Sequence, residues 1–288
     1  DKVAESWELS CHKDGPSVVA DGEYKGLTLN EYIEKAGKGV LGKNCERFEN
    51  FPILIKLIDA KDNLSVQVHP DNDYAMRVEG EYGKTEMWYV VDCDEGATLL
   101  YGFKHEITKE EFARRIADNT LLEVTNAVPV KKGDVFFIKS GTLHAIGKGI
   151  LIAEIQQNSN TTYRIYDYGR VGKDGKPREL HVDKALDVTK LAPAEQYPET
   201  PVEKKDGYDI KLLSKCEYFT TYRVNVETKA ELDADENSFN SILVLEGEPV
   251  ISGGETVSAK KGESVFISAG TGKYTVEGKC TFVLTKID

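Results

Sequence analysis

Histidine, methionine and tryptophan are scarce in this chain of 288 residues, at five, two and two. The five cysteines (Cys11, Cys45, Cys93, Cys216 and Cys280) are scattered and odd in number, with no CxxC pair. That spacing suggests neither a thiolate zinc site nor a disulfide framework, and leaves reduced structural thiols. No run approaches the ~20 apolar residues of a membrane span. No stretch has the pattern of a signal peptide, so a cytoplasmic location is expected. The sequence opens on Asp1 and not on Met, as if an initial segment had been removed. Positive charge is also short: 37 Lys and Arg stand against 49 Asp and Glu, a net charge of -12. Such a surface repels nucleic acid and anionic membrane, which are therefore not expected as partners. A small phosphorylated substrate stays compatible, because a local basic pocket can sit on an acidic protein. For the oligomeric state, a monomer or weak homodimer is the expectation.

What is present is an ordinary globular composition, 40% hydrophobic and 30% charged, with length enough for one large domain or two modest ones. Short apolar or alternating runs separated by turn residues dominate, among them 51–59, 64–69, 86–92, 135–139, 150–156, 219–226, 241–245, 265–268 and 280–286. Many short strands with glycine-rich turns predict a mainly β protein. Helices are few: 108–118, which opens on a Thr108-x-x-Glu111 capping pattern, and shorter candidates at 27–36, 72–78 and 182–188. The proline- and charge-rich stretch 192–206 reads as a linker. It divides a first domain, 1–191, from a second, 207–288.

An internal repeat carries more information. Lys131-Lys132-Gly133-Asp134-Val135-Phe136-Phe137-Ile138-Lys139-Ser140-Gly141-Thr142-Leu143-His144 recurs without a gap as Lys260 to Lys273. Each copy reads as a turn glycine, an acidic residue, an apolar strand and a second glycine turn. His144 ends the first copy; Lys273 takes its place in the second. Two β-barrels of common ancestry are implied, of which only the first keeps the histidine.

The first copy fits the second sequence motif of cupins, with Lys139 at a position that is usually proline. The first cupin motif has its counterpart in Gln67-Val68-His69, then Glu86, then Gly96. Strand side chains alternate, so Ser65, Gln67 and His69 share one face and Glu86 shares another with Trp88. Pro70 then ends the strand. Imidazoles and a carboxylate converging inside a small barrel suit a divalent ion, so Gln67, His69, Glu86 and His144 form a candidate metal site. A neutral amide oxygen and one carboxylate leave a 2+ ion net positive, which suits a Lewis acid. His12, His105 and His181 read as structural.

The run Phe51 to Ala60 followed by Leu64-Ser65-Val66-Gln67-Val68-His69-Pro70 resembles the hallmark of type I mannose-6-phosphate isomerases. Gly83 to Tyr89, Ser159 to Arg164 and Glu5-Ser6-Trp7-Glu8 extend the likeness over nearly the whole chain. It is nearest the short bacterial form, with the large helical insertion reduced to roughly residues 103–127. The resemblance implies two cupin-type jelly-roll barrels, the second degenerate and without metal. It also implies one Zn2+ per chain and an aldose–ketose isomerase interconverting mannose 6-phosphate and fructose 6-phosphate through an enediol. The family's ligand positions fall on Gln67, His69, Glu86 and His144. Its active-site lysines fall on Lys56 and Lys84, its serine on Ser65, its acidic residue on Glu154 and its arginine on Arg164. After that arginine the long form continues Ala-Gly-Leu-Thr-Pro-Lys, whereas here Ile165 to Arg170 follows, so the role of that lysine is lost or passed to Arg170.

These residues make chemical sense. Lys84 shares the face of Glu86. Lys56 interrupts an apolar run and needs a carboxylate partner or a polar cavity. Glu154 lies by parity with Gln156 and Asn158 and is a candidate base. The Arg164 fork suits phosphate or enediolate oxygens. Lys84, Glu154 and Arg164 are expected to be catalytic, and Lys56 and Ser65 to bind substrate; Tyr166, Asp167 and Arg170 are weaker candidates. Competing readings are a cupin-type glucose-6-phosphate isomerase, which Gln67 disfavours, and a metal-holding sugar-binding cupin without catalysis. An iron-dependent oxygenase, which commonly uses more imidazole ligands, is the least favoured.

Overall fold

The computed structural model describes residues 4–172 and 175–288. It is mainly β, and the chain divides into two compact units. One holds the chain up to Ser6 together with Leu57–Tyr197; the other holds Trp7–Lys56 and Pro198–Asp288. The chain therefore changes unit at 6/7 and 56/57 as well as at 197/198. The single division expected at 192–206 assigned residues 7–56 to the first domain, and part of that linker, Val202–Lys205, is a strand paired with its neighbour. Hydropathy cannot distinguish which core an early segment joins.

One five-stranded sheet has the order β1-β2-β9-β4-β7, from Glu5–Leu9, Ile53–Ala60, Ile150–Gln157, Glu86–Cys93 and Val135–Ile138, the last three strands lying wholly in the first unit. The facing sheet has the order β10-β3-β8-β5-β6, from Tyr163–Tyr166, Val66–Val68, His144–Ala145, Thr98–Phe103 and Thr125–Pro129. Ile58, Trp88, Val90, Leu99, Tyr101, Ile138, Ile150 and Ile152 form one apolar core drawn from both sheets. On the other side of the second sheet, Val66, Val68, Ala145, Tyr163 and Ile165 pack with α3 (Lys109–Ala117) and α4 (Val182–Val188) through Phe112 and Ala185. Odd and even positions of β3, β8 and the first part of β10 thus take opposite faces. A register shift between Arg164 and Tyr166 then lets Tyr166 pack on the helix side as well. Val66, Val68, Ala145 and Tyr163 turn toward the helices, and Gln67, His144 and Arg164 take the opposite, inner face.

The second unit repeats the plan. A six-stranded sheet, β11-β12-β13-β20-β15-β18, is formed by Val202–Lys205, Tyr208–Lys215, Thr220–Val226, Cys280–Lys286, Asn240–Gly247 and Ser264–Ile267. A four-stranded sheet, β14-β19-β16-β17, is formed by Lys229–Ala234, Gly272–Glu277, Val250–Gly253 and Glu255–Ser258. One core drawn from both contains Val224, Ile242, Ile251, Tyr274 and Phe282. The unit's α1, Leu29–Ala36, is opened by a reciprocal capping box between Thr28 and Glu31, a Thr-x-x-Glu signal as plain in the sequence as the one at Thr108. At α3 the Thr108 hydroxyl accepts from the Glu111 N–H. The helix α2, Asn72–Val78, is capped by Asp71.

The repeat is real in three dimensions. Gly133 and Gly262 both take positive φ, at 90° and 86°, as do Gly141 and Gly270, at 85° and 79°. That left-handed region explains why glycine stands at both turns of both copies. The acidic residue does the same work in each: Asp134 accepts from the Lys131 N–H and Glu263 from the Lys260 N–H. Ile138 pairs with Glu86, and its repeat partner Ile267 pairs with Asn240. The second unit therefore has Asn240 where the first has Glu86, and an exposed Lys273 where the first has the buried His144.

Candidate metal centre

Strand register delivers the ligands. Gln67 on β3 lies opposite His144 on β8 and opposite Arg164 on β10, and His144 lies opposite Tyr101 on β5. On the facing sheet Glu86 starts β4 opposite Gln156 of β9, and Trp88 lies opposite Glu154. His69 follows the end of β3, where Pro70 stops the strand. The result is one buried polar group inside an apolar sandwich: His69, Lys84, Glu86, His144 and Glu154 are each 0–4% exposed.

The two imidazoles meet through their Nε2 atoms at 3.1 Å. His69 Nδ1 lies 3.0 Å from the Thr161 carbonyl and His144 Nδ1 lies 2.8 Å from the Thr142 carbonyl. A carbonyl only accepts, so each Nδ1 carries the proton and each neutral ring presents an Nε2 lone pair to the other. Two lone pairs at that distance repel unless a cation lies between them. Burial pushes the His144 imidazole down to about 4, so it is a neutral donor near pH 7.

The remaining donors complete the group. Glu86 Oε1 lies 3.4 Å from His144 Nε2 and Oε2 lies 3.7 Å from His69 Nε2. The Gln67 amide is 3.4 Å from His144 Nε2, and a half-turn of that amide exchanges its nitrogen for its oxygen. Donors about 2.0–2.1 Å from a tetrahedral ion lie ~3.3 Å from one another, and these separations of 3.1–3.7 Å bracket that value. Charge fits as well: Glu86 and Glu154 against Lys84 leave one negative charge, which a 2+ ion turns to one positive. The residues present fit a divalent metal. Among the described residues His69, Glu86 and His144 form the one such group of three or more His, Cys, Asp or Glu.

Lys84 binds this group to Glu154. Its Nζ is 2.9 Å from Glu86 Oε2, 3.3 Å from His69 Nε2 and 3.6 Å from Glu154 Oε1. Burial alone would lower the affinity of this ammonium for its proton, but the Glu154 and Glu86 carboxylates outweigh it and hold Lys84 above the ordinary lysine range. The Trp88 indole N–H donates to Glu154 Oε2 at 2.8 Å.

Arg164 shares the inner face beside Gln67. Its Nη1 donates to the Glu179 carbonyl at 3.0 Å. Burial, then the neighbouring Arg178, holds its guanidinium below the ordinary arginine value. Asp167 is buried between Arg178, whose Nε and Nη2 donate at 2.7 and 2.6 Å, and Arg170. Arg170 also donates to the Asn63 carbonyl at 2.7 Å. Lys56 is buried with its Nζ 4.7 Å from the centre of the Trp7 ring, and Ser65 is buried just before β3.

The structure thus joins Gln67, His69, Glu86, His144, Lys84 and Glu154 by direct contact, and sets Arg164 beside them by register. Sequence reasoning missed the carbonyls of Thr142 and Thr161, which fix both imidazoles and have no side-chain signature. It also missed Arg178, eight residues past the last quoted segment, which ends at Arg170.

Fold and centre together define a protein with two cupin-like units, the first carrying a His/Glu/His group. Comparison with known proteins makes the class specific. Residues 1–96 match the model of the phosphomannose isomerase type I catalytic domain, and residues 209–287 that of the mannose-6-phosphate isomerase cupin domain. Mannose-6-phosphate isomerase ManA of Bacillus subtilis is 39% identical over 288 residues, covering 99% of this chain and 90% of that protein. The Streptococcus mutans mannose-6-phosphate isomerase is 39% identical, covering 92% of this chain and 82% of its own. Among solved structures, the mannose 6-phosphate isomerase from Bacillus subtilis superposes with a TM-score of 0.91 at 38% identity, covering 98% of this chain and 89% of that one. A zinc-bound mannose 6-phosphate isomerase shares the fold, with a TM-score of 0.78 at 16% identity over 99% of this chain and 91% of that one. The chain belongs to the type I mannose-6-phosphate isomerase family. No helix among the described residues is long and apolar enough to cross a membrane.

Proposed function

We propose that this chain is a zinc-dependent aldose–ketose isomerase interconverting mannose 6-phosphate and fructose 6-phosphate through an enediol. The observation that carries the reading is a Lys84–Glu154 pair in contact with the His69/Glu86/His144 group, inside a family whose relatives bear that name. A metal-holding binding protein has no need of a buried acid and ammonium beside its ion. Gln67, His69, Glu86 and His144 would hold the ion. When bound, it supplies a Lewis acid for the two sugar oxygens on which charge develops.

The chain's own groups perform the rest. Isomerisation moves a proton between C1 and C2, and Glu154 is the base that carries it. Trp88 holds one Glu154 oxygen, so the other, toward Lys84, is the one that works. Lys84 Nζ donates toward the developing oxyanion. Arg164 presents its donors to the phosphate or to the enediolate oxygens. Lys56 and Ser65 contribute to substrate binding. The second unit, with Asn240 and Lys273 at the corresponding places, holds no metal. The protein acts in the cytoplasm as a monomer or weak homodimer.

The test is conversion of mannose 6-phosphate in deuterated water, followed by proton NMR. Fructose 6-phosphate carrying solvent deuterium at C1 is the expected product. Complete absence of turnover with metal fully loaded would sink the isomerase reading. Complete retention of the substrate hydrogen would count against an enediol that exchanges with solvent.

A further inference from the structure

One carboxylate outside the reacting group organises it. Glu81 lies in the turn between α2 and β4, three residues before Lys84 and five before Glu86. Its Oε2 accepts from the Thr161 hydroxyl at 2.9 Å, the Asn160 N–H at 3.0 Å and the Ser159 hydroxyl at 3.3 Å. Three donors on one oxygen fix the segment 159–161. The carbonyl of Thr161, in the same segment, receives the Nδ1–H of His69. The turn that holds Glu81 is itself anchored. The Asn72 amide oxygen accepts from the Gly83 N–H at 2.9 Å, and Gln157 Oε1 accepts from the Thr85 N–H at 2.8 Å. The Gln157 amide then donates to Asn72 at 2.9 Å, closing the ring. Gly83 packs closely on the chain at Asp71, where a Cβ would come within 2.4 Å of the backbone, so a larger residue there would displace the turn.

We infer that Glu81 is a positioning residue of the metal centre. It ties the segment delivering Lys84 and Glu86 to the carbonyl that sets the tautomer and the aim of His69. It is not itself one of the candidate ligands, and it acts on His69 through the segment 159–161 that carries the Thr161 carbonyl. Outer partners of a ligating imidazole typically change metal affinity by 10–100-fold. Glu81 holds such a partner in place, so about 10-fold is expected. The inference rests on the metal reading above.

The experiment uses Co2+ as the probe, titrated into metal-free full-length protein against a competing chelator. Absorption of the bound ion reports its coordination, and the thermal midpoint of the metal-free protein is recorded in parallel. Glu81→Ala is expected to weaken Co2+ binding by about 10-fold and alter the visible bands, with the metal-free midpoint near that of the unaltered protein. Glu81→Gln keeps one acceptor oxygen and should lose less. Affinity within twofold of the unaltered protein in both variants would overturn the inference. So would a fall in the metal-free midpoint with affinity unchanged, which marks a purely structural role. If Glu81→Ala fails to fold, a loss of at least threefold in Glu81→Gln supports the inference and a smaller one overturns it. Failure of the unaltered protein to bind Co2+ would instead overturn the metal reading itself.

Discussion

Replacing Lys84 by methionine is the most informative single perturbation of the centre. The side chain is 4% exposed, and its ammonium is 2.9 Å from Glu86 and 3.6 Å from Glu154. Methionine keeps most of the volume and removes the charge. Two carboxylates then remain in an apolar core without their cation. Removing one partner of a buried pair costs about 3–5 kcal/mol, because the other charge is stranded. The metal-free variant should therefore lose stability by that order in denaturant unfolding near pH 7. Trp88, buried against Glu154, serves as the fluorescent reporter of the first unit. A divalent ion restores positive charge, and a ligand at 100-fold its dissociation constant adds about 2.7 kcal/mol to any protein that binds it. The ion should narrow the gap further, since it replaces the missing cation. The pH dependence has a definite sign. Two unneutralised carboxylates bind protons more readily folded than unfolded, so the deficit of the metal-free variant shrinks as pH falls from 7 toward 5. A loss below about 1 kcal/mol, the range of exposed pairs, would refute the claim that Lys84 neutralises a buried acidic pair.

Two further outcomes follow from the repeat and from the arginine cluster. His144→Ala should abolish tight metal binding while Lys273→Ala leaves it intact, measured as metal content after dialysis. Equal loss in both would refute the assignment of a single centre to the first unit. Asp167 is held below the usual carboxylate value, because the hydrogen bonds and charges of Arg178 and Arg170 outweigh its burial. A depressed folded value gives stability that is present above the unfolded value and lost as pH falls through the folded one. Asp167→Asn should thus cost about 1 kcal/mol near pH 7, discounted because both arginines are partly exposed, and progressively less below about pH 4. A deficit that grew on acidification would contradict the pairing.

The sequence made much of this legible, for physical reasons that differ by residue. Strand parity put Gln67 and His69 on one face, and Glu154 with Gln156, because alternation is enforced by the pleat. The repeat set His144 apart from Lys273 because turns needing positive φ leave glycine as a visible marker. One helix declared itself through Thr108-x-x-Glu111; the same pattern at Thr28 was there to be read and emerged only with the structure. Backbone acceptors had no such signature. Nothing in the letters of Thr142 or Thr161 says that their carbonyls will hold an imidazole, and no local pattern says that Glu81 will reach across to residue 161. The allotment of residues 7–56 to the second unit was equally hidden, since an apolar run such as 51–58 packs as well into one core as another.

The measurement closest to the central claim is isomerase activity titrated against bound zinc. Purified protein stripped by a chelator and passed through desalting should convert no mannose 6-phosphate to fructose 6-phosphate. Activity should then return in proportion to added Zn2+ and level off at one ion per chain. Full activity in the stripped protein, or saturation at two ions per chain, would contradict the account of a single metal centre built from Gln67, His69, Glu86 and His144.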